Sequence, residues 1–260
     1  MVVAALVVVG YMAVGFAFGL SANAYLLLGI PITIAFHSVV ARQPLRALWL
    51  RDAPAMSLTL RSVVAVIIVA IAPAIIAIGG VRGGDPVLAL YGLAGMVGAF
   101  GAVYAIRALN RDAARATLRA SLINGAILAG VMIVLRLVSG GFHANPGGAF
   151  VTAFISVATY LPVVFVMEEV LFRGLLDPYL HGSTPGRDRT SALYGSALWG
   201  LWHLPVMAVD LGLLTIPYLV VVHTVLGVVL VSVWRRTGNL AAPGIAHAVA
   251  DAMRNALAVL

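Results

Sequence analysis

The chain reads as long apolar runs interrupted by short clusters of arginine, proline and glycine. A helix that crosses a bilayer needs about 20 mainly apolar residues. Breaking the sequence at those clusters leaves nine candidate spans, near residues 2–20, 24–41, 62–80, 87–108, 120–138, 150–172, 191–208, 216–234 and 242–260. The last carries His247, Asp251 and Arg254, so eight crossings plus a partly inserted segment is the alternative count. The pattern predicts an all-α fold, a polytopic membrane bundle of eight or nine transmembrane helices.

Composition excludes a soluble domain. Of 260 residues, 62 % are hydrophobic and 10 % charged, with a mean hydropathy of +1.07. Soluble domains average roughly 45–50 % apolar and about 25 % charged residues, so too little polar surface is present to face water. The 16 basic residues are all Arg and outnumber nine acids, for a net charge of +7. In a membrane chain this excess speaks of topology and contact with anionic lipid, and no nucleic-acid partner is expected. The absence of cysteine excludes disulfides, thiolate metal sites and a Cys nucleophile.

The arginines fall on one side of the expected bundle. Arg42, Arg46, Arg51 and Arg61 lie between the second and third spans, and Arg107, Arg111, Arg115 and Arg119 flank the loop between the fourth and fifth. Arg187 and Arg189 follow the sixth span, and Arg235 and Arg236 follow the eighth. The alternate loops hold little beyond Arg82 and Arg136. Positive-inside bias therefore puts the arginine-bearing loops and the N-terminus in the cytoplasm, as for an integral protein of a bacterial plasma membrane. The N-terminal run has no basic n-region and no clear cleavage site, and reads as a retained first span. Arg42 to Asp52, with Trp49 among the arginines, reads as a short amphipathic helix at the interface. No repeat or long linker divides the chain, so 1–149, without a recognised motif, and 150–260 are two parts of one membrane domain.

Polar residues inside the spans carry the chemistry. The only two glutamates, Glu168 and Glu169, are adjacent within LPVVFVMEEVLF. Ionisable groups there cost roughly 2.5–3.5 kcal/mol each. Glu169 and Arg173 are four apart in the favourable order for a helical ion pair, which makes them a structural brace. Neighbouring helical residues point about 100° apart, so Glu168 faces elsewhere and is the candidate reactive group. His203 is the single ionisable group of the next span, about 18 Å from Ser191 along a helix, with Trp199 one turn earlier on its face. His247 and Asp251 share a face in GIAHAVADAMRN. Taken singly, each of these is as well explained as a satisfied core group. Together they bring a base, two imidazoles and a second carboxylate from three spans, which lipid penalises unless they converge. Such a set can activate water and stabilise an oxyanion. It also suits zinc or another divalent metal, with Glu168, His203, His247 and Asp251 as ligands. His223 could line the same cavity, whereas His37, His143 and His181 read as structural or loop residues.

These residues resemble the motifs of the CPBP family, the type II CAAX prenyl endopeptidases and bacteriocin-processing membrane proteases also called Abi proteins. Glu168-Glu169-Val-Leu-Phe-Arg173 resembles EExxxR, Trp199-Gly-Leu-Trp-His203 resembles FxxxH, and His247-Ala-Val-Ala-Asp251 resembles HxxxN. The three occur in the family's order over roughly residues 150–256. The resemblance implies an intramembrane endopeptidase in which Glu168 activates the attacking water and His203 holds that water or passes its proton. Glu169 and Arg173 would order the site, and His247 with residue 251 would stabilise the oxyanion. The family has been described both as metalloproteases and as metal-independent glutamate proteases, so both catalytic types stay open. Two positions depart from the pattern. Trp199 for Phe is an aromatic swap that keeps packing against His203. Asp251 for Asn replaces an amide donor by a group that repels an oxyanion when ionised, so it is either protonated, paired with His247, or a metal ligand.

The expected activity is hydrolysis of a peptide bond near the cytoplasmic face, because Glu168 lies late in the sixth span and His247 early in the ninth. The expected substrate is a peptide or protein, membrane-associated or lipidated. Two rivals are a catalytically inactive immunity or scaffold protein of the same fold, which Asp251 favours, and a proton-coupled transporter, for which residues 1–149 offer no matching polar pair. Ser139-Gly-Gly-Phe-His143 sits in a loop and does not suit the Ser–His dyad of a rhomboid-type protease.

Overall fold

The computed structural model describes residues 1–42, 44–51, 59–107, 111–139, 145–182, 189–207 and 215–259. His143, Arg187 and most of the Arg42–Asp52 segment's C-terminal neighbourhood from Asp52 onward lie outside the described residues. Within them the fold is all helical, with one isolated antiparallel bridge between Leu50 and Asn239. The helices are α1 (Val2–Phe18), α2 (Ala22–Phe36), α3 (Leu60–Gly83), α4 (Pro86–Arg107), α5 (Arg111–Ser139) and α6 (Pro146–Val164). They continue with α7 (Asp177–His181), α8 (Arg189–Trp202), α9 (Leu204–Met207), α10 (Thr215–Thr237) and α11 (Ala241–Val259). A π-helical turn (His37–Ala41) extends α2, a 3-10 turn (Leu45–Leu48) follows it, and a π-helical stretch (Val170–Leu176) leads into α7.

Local chemistry starts several of these helices. The Thr59 hydroxyl accepts the Ser62 amide at 3.2 Å to cap α3, and Asn145 Oδ1 accepts the Gly148 amide at 3.0 Å to cap α6, with Pro146 in its first turn. Among the described residues, six helical stretches are long and apolar enough to cross a membrane: Ala22–Val40, Leu60–Gly83, Pro86–Arg107, Asp112–Val138, Pro146–Val164 and Ile216–Thr237. α1 is a shorter apolar helix, and α8 and α11 fall outside that set. The eight or nine expected spans appear, among the described residues, as six long apolar helices with shorter ones among them. Those shorter helices carry much of the site, because buried polar groups and helix breaks displace continuous apolar turns. α3 leaves Ile67, Ile68, Ile71 and Ile75 exposed, an apolar face suited to lipid and not to water.

α3 pairs with α4, α4 lies along α6, α6 and α5 flank α11, and α10 packs on α8. The N-terminal helices reach the C-terminal ones, since α1 touches α8 and α2 touches the π-helical stretch. Phe165, Leu171, Leu176, Trp199, Trp202 and Trp234 are buried where these elements meet. One close approach depends on glycine: a Cβ on Gly98 would overlap the Pro162 carbonyl oxygen, so α4 and α6 are in backbone contact there.

Candidate active site

The site forms where helices are interrupted. Pro162 cannot donate to the helical ladder, and just beyond it the bonding shortens, with the Val166 amide donating to Val163 O at 3.1 Å. The Phe165 carbonyl accepts Trp49 Nε1–H at 2.9 Å, which satisfies a group the interruption leaves open. Helical winding resumes in the π form from Val170. Such insertions recur at functional sites because they re-aim side chains. The continuous span expected over 150–172 is therefore two pieces, with Glu168 and Glu169 at the joint. A second interruption lies at His203. The helix expected over 191–208 stops at Trp202, because Pro205 has no N–H to continue its ladder, and Leu204–Met207 form a separate short helix.

The two glutamates have different surroundings. Glu169 is fully buried, and its Oε1 accepts from Arg173 Nη1 at 3.1 Å and from His247 Nδ1 at 2.8 Å. Glu168 faces a cavity. Its Oε2 accepts the Trp199 Nε1–H at 3.1 Å and lies 3.6 Å from His203 Nε2. His203 Nδ1 is 2.8 Å from the Trp199 carbonyl. That nitrogen donates to the carbonyl, so when the ring is neutral its Nε2 lone pair faces Glu168. His247 lies between carboxylates, with Nδ1 on Glu169 and Nε2 at 3.5 Å from Asp251 Oδ2. Nδ1 makes the hydrogen bond to Glu169, while Nε2 approaches Asp251 at ion-pair distance. Asp251 Oδ1 meets Arg254 Nη1 at 3.2 Å.

Trp199 joins these groups. Arg173 Cζ sits 4.2 Å over its ring centroid, and its ring meets those of His203, His223 and His247 edge-on at 5.4, 4.9 and 5.2 Å. His223 also packs against His203, with centroids 4.1 Å apart. All six expected site residues, Glu168, Glu169, Arg173, His203, His247 and Asp251, thus meet in one cluster. Sequence reasoning missed the Trp199 donor, treating the residue as packing alone, although an indole N–H in an apolar span needs an acceptor. It placed His223 only as a residue that could line the same cavity, from its position within a span. His37 is buried elsewhere, and His181 Nδ1 lies 3.5 Å from Ser191 Oγ.

Residues 149–253 match the family model described as type II CAAX prenyl endopeptidase Rce1-like. The CPBP resemblance is borne out. No curated protein and no solved structure matches the chain. The Rce1-like match implies a membrane peptidase acting on a peptide or protein substrate, and all six site residues lie within the matched stretch.

The Rce1-like segment supplies most of a cavity of about 640 Å³, to which α2 and α5 add Leu26, Leu128, Met132 and Leu135. Glu168, His203, His223, His247 and Asp251 lie on its wall, and the remaining lining is mainly apolar. Among the described residues no group of three or more His, Asp or Glu side chains is arranged to hold a metal ion. His203 and His247 each hold Nδ1 on an oxygen and turn Nε2 toward a carboxylate, 3.6 Å from Glu168 and 3.5 Å from Asp251. The set expected for zinc, Glu168, His203, His247 and Asp251, is not gathered as a ligand group among the described residues, and no step below runs through a metal.

Proposed function

We propose that this chain is an intramembrane endopeptidase in which Glu168 is the general base. The observation that carries the reading is the placement of Glu168 Oε2 between the Trp199 indole N–H and the His203 Nε2 lone pair on the wall of an apolar cavity. Two acceptors facing each other suit a water that donates to both. Glu168 takes a proton from that water as its oxygen attacks the scissile carbonyl carbon. The carbonyl oxygen becomes an oxyanion beside His247 Nε2–H. Collapse breaks the C–N bond, and the proton held by Glu168 passes to the departing amine. Glu169 and Arg173 fix the His247 ring without touching substrate.

Entry is read from the face opposite the arginine loops, a revision of the cytoplasmic position expected from chain order. The cavity draws on Ala22 and Leu26 at the start of α2, Leu128 to Val138 at the end of α5, Tyr218 to Leu230 in the first part of α10, and Asp251 to Ala258 late in α11. Those are the helix ends remote from Arg111, Arg115, Arg235 and Arg236. An apolar, lipid-level cavity suits an extended apolar segment of a membrane-associated peptide.

The test compares new protein N-termini in membranes carrying the parent chain or Glu168→Gln. General-base catalysis contributes roughly 10²–10⁴-fold, so termini formed by this chain should vanish with the variant at equal expression. Identical sets of termini, with biological activity kept by Glu168→Gln, would instead support the inactive scaffold that Asp251 favours.

A further inference from the structure

The proposed hydrolysis leaves one charge unexplained. Glu168, Glu169 and Asp251 face the same site, and the proposed intermediate adds an oxyanion next to Asp251. Arg173 is committed to Glu169. The cation nearest to Asp251 in the described contacts is Arg254, one turn further along α11, with Nη1 at 3.2 Å from Asp251 Oδ1. It lies just beyond the stretch that matches the Rce1-like family, 149–253.

Arg254 is itself held in place. Its Nε–H donates to Asn255 Oδ1 at 3.3 Å, and Asn255 Nδ2–H donates to Ser156 Oγ on α6 at 3.2 Å. A polar chain therefore runs from α6 through Asn255, Arg254 and Asp251 to His247, Glu169 and Arg173. Along it each carboxylate has a guanidinium on one side and the His247 ring on the other. We propose that Arg254 is a positioning residue of the hydrolytic site, whose guanidinium balances Asp251 so that an oxyanion can form beside His247. Unbalanced, Asp251 would repel the developing charge and draw the His247 Nε2–H to itself. Paired, its Oδ1 is occupied by Arg254, and the His247 Nε2–H, 3.5 Å from Oδ2, is left for the oxyanion.

This assignment rests on the protease reading, and a charge-swap cycle separates the two. Arg254 is about half exposed, its side chain at 51 %, and such pairs add only about 0–1 kcal/mol to folding, so Arg254→Met should accumulate normally in membranes. Removing a direct oxyanion donor costs about 10²–10³-fold. Removing a balancing charge one residue away is expected to slow Glu168-dependent cleavage about tenfold, while Arg254→Lys keeps most of it. The decisive variant is Arg254→Met combined with Asp251→Asn, which deletes the charge that needs balancing. It should cleave several-fold faster than Arg254→Met alone, a rescue that a merely structural contact does not give. Cleavage by Arg254→Met within twofold of the parent, or a double variant no faster than the single one, overturns the assignment while leaving the protease reading intact. Absence of any Glu168-dependent terminus overturns both.

Discussion

Glu168 and Glu169 are neighbours in sequence with unlike surroundings, and their substitutions should separate accordingly. Glu168 has one hydrogen bond and borders a cavity, so Glu168→Gln should fold normally and lose cleavage. Glu169 is buried against Arg173 and His247, and Glu169→Gln leaves the Arg173 charge without its counterion. Breaking a buried pair in this way costs roughly 3–5 kcal/mol, so its thermal midpoint in detergent should fall well below that of Glu168→Gln. Equal midpoints would argue against the division of roles. Trp199→Phe tests the missed donor. It keeps an aromatic ring among Arg173, His203, His223 and His247 but removes the N–H that reaches Glu168. Hydrogen bonds to charged groups are worth about 1.5–3 kcal/mol, so Glu168-dependent cleavage should slow about tenfold or more with little loss of folded protein. At this scale the sequence was informative because ionisable residues are few and lipid makes each one conspicuous. It was silent where a residue's role depends on a partner, as with Trp199 on Glu168 or Arg254 on Asp251.

The elements that matter most are the irregular ones. Hydropathy marks apolar runs but not where the helix inside a run is interrupted, so 150–172 and 191–208 read as unbroken. Pro162 and Pro205 were the visible signals, and the interruptions fall close to them. The π-helical stretch had no sequence signal of its own; its place is set by packing. Gly174 lies against the 3-10 turn, where an added Cβ would overlap the Leu48 carbonyl oxygen. Gly98 makes the corresponding contact between α4 and α6. Gly98→Ala should therefore push α4 off the segment that carries Glu168. Overpacking of this kind costs roughly 1–3 kcal/mol, read as a lower thermal midpoint together with weaker cleavage. Gly79→Ala, where an added Cβ meets nothing within 4 Å, is the matched control and should leave both unchanged.

For the whole molecule the question is which face the cavity serves. The chain contains no cysteine, so single cysteines report sidedness without background. Met207→Cys lies on the cavity wall, and Arg236→Cys lies at the arginine-bearing end of α10. A membrane-impermeant maleimide added outside intact cells should label the first and spare the second. Labelling of Arg236→Cys alone would place the cavity on the cytoplasmic side, as chain order had suggested. Labelling of Met207→Cys from both sides would favour the transporter rival.

By itself the sequence determined the all-helical membrane architecture and the six polar residues that the fold gathers into one cluster. Each follows from a local cost: apolar runs cannot face water, and charged groups cannot face lipid. Tertiary structure decided which helices were broken, which carboxylate was braced and which was left facing the cavity, and which helix ends line that cavity. Those depend on distances between segments remote in the chain, such as Glu169 to His247 or Glu168 to Trp199. No local pattern encodes such distances, because they arise only when the helices pack.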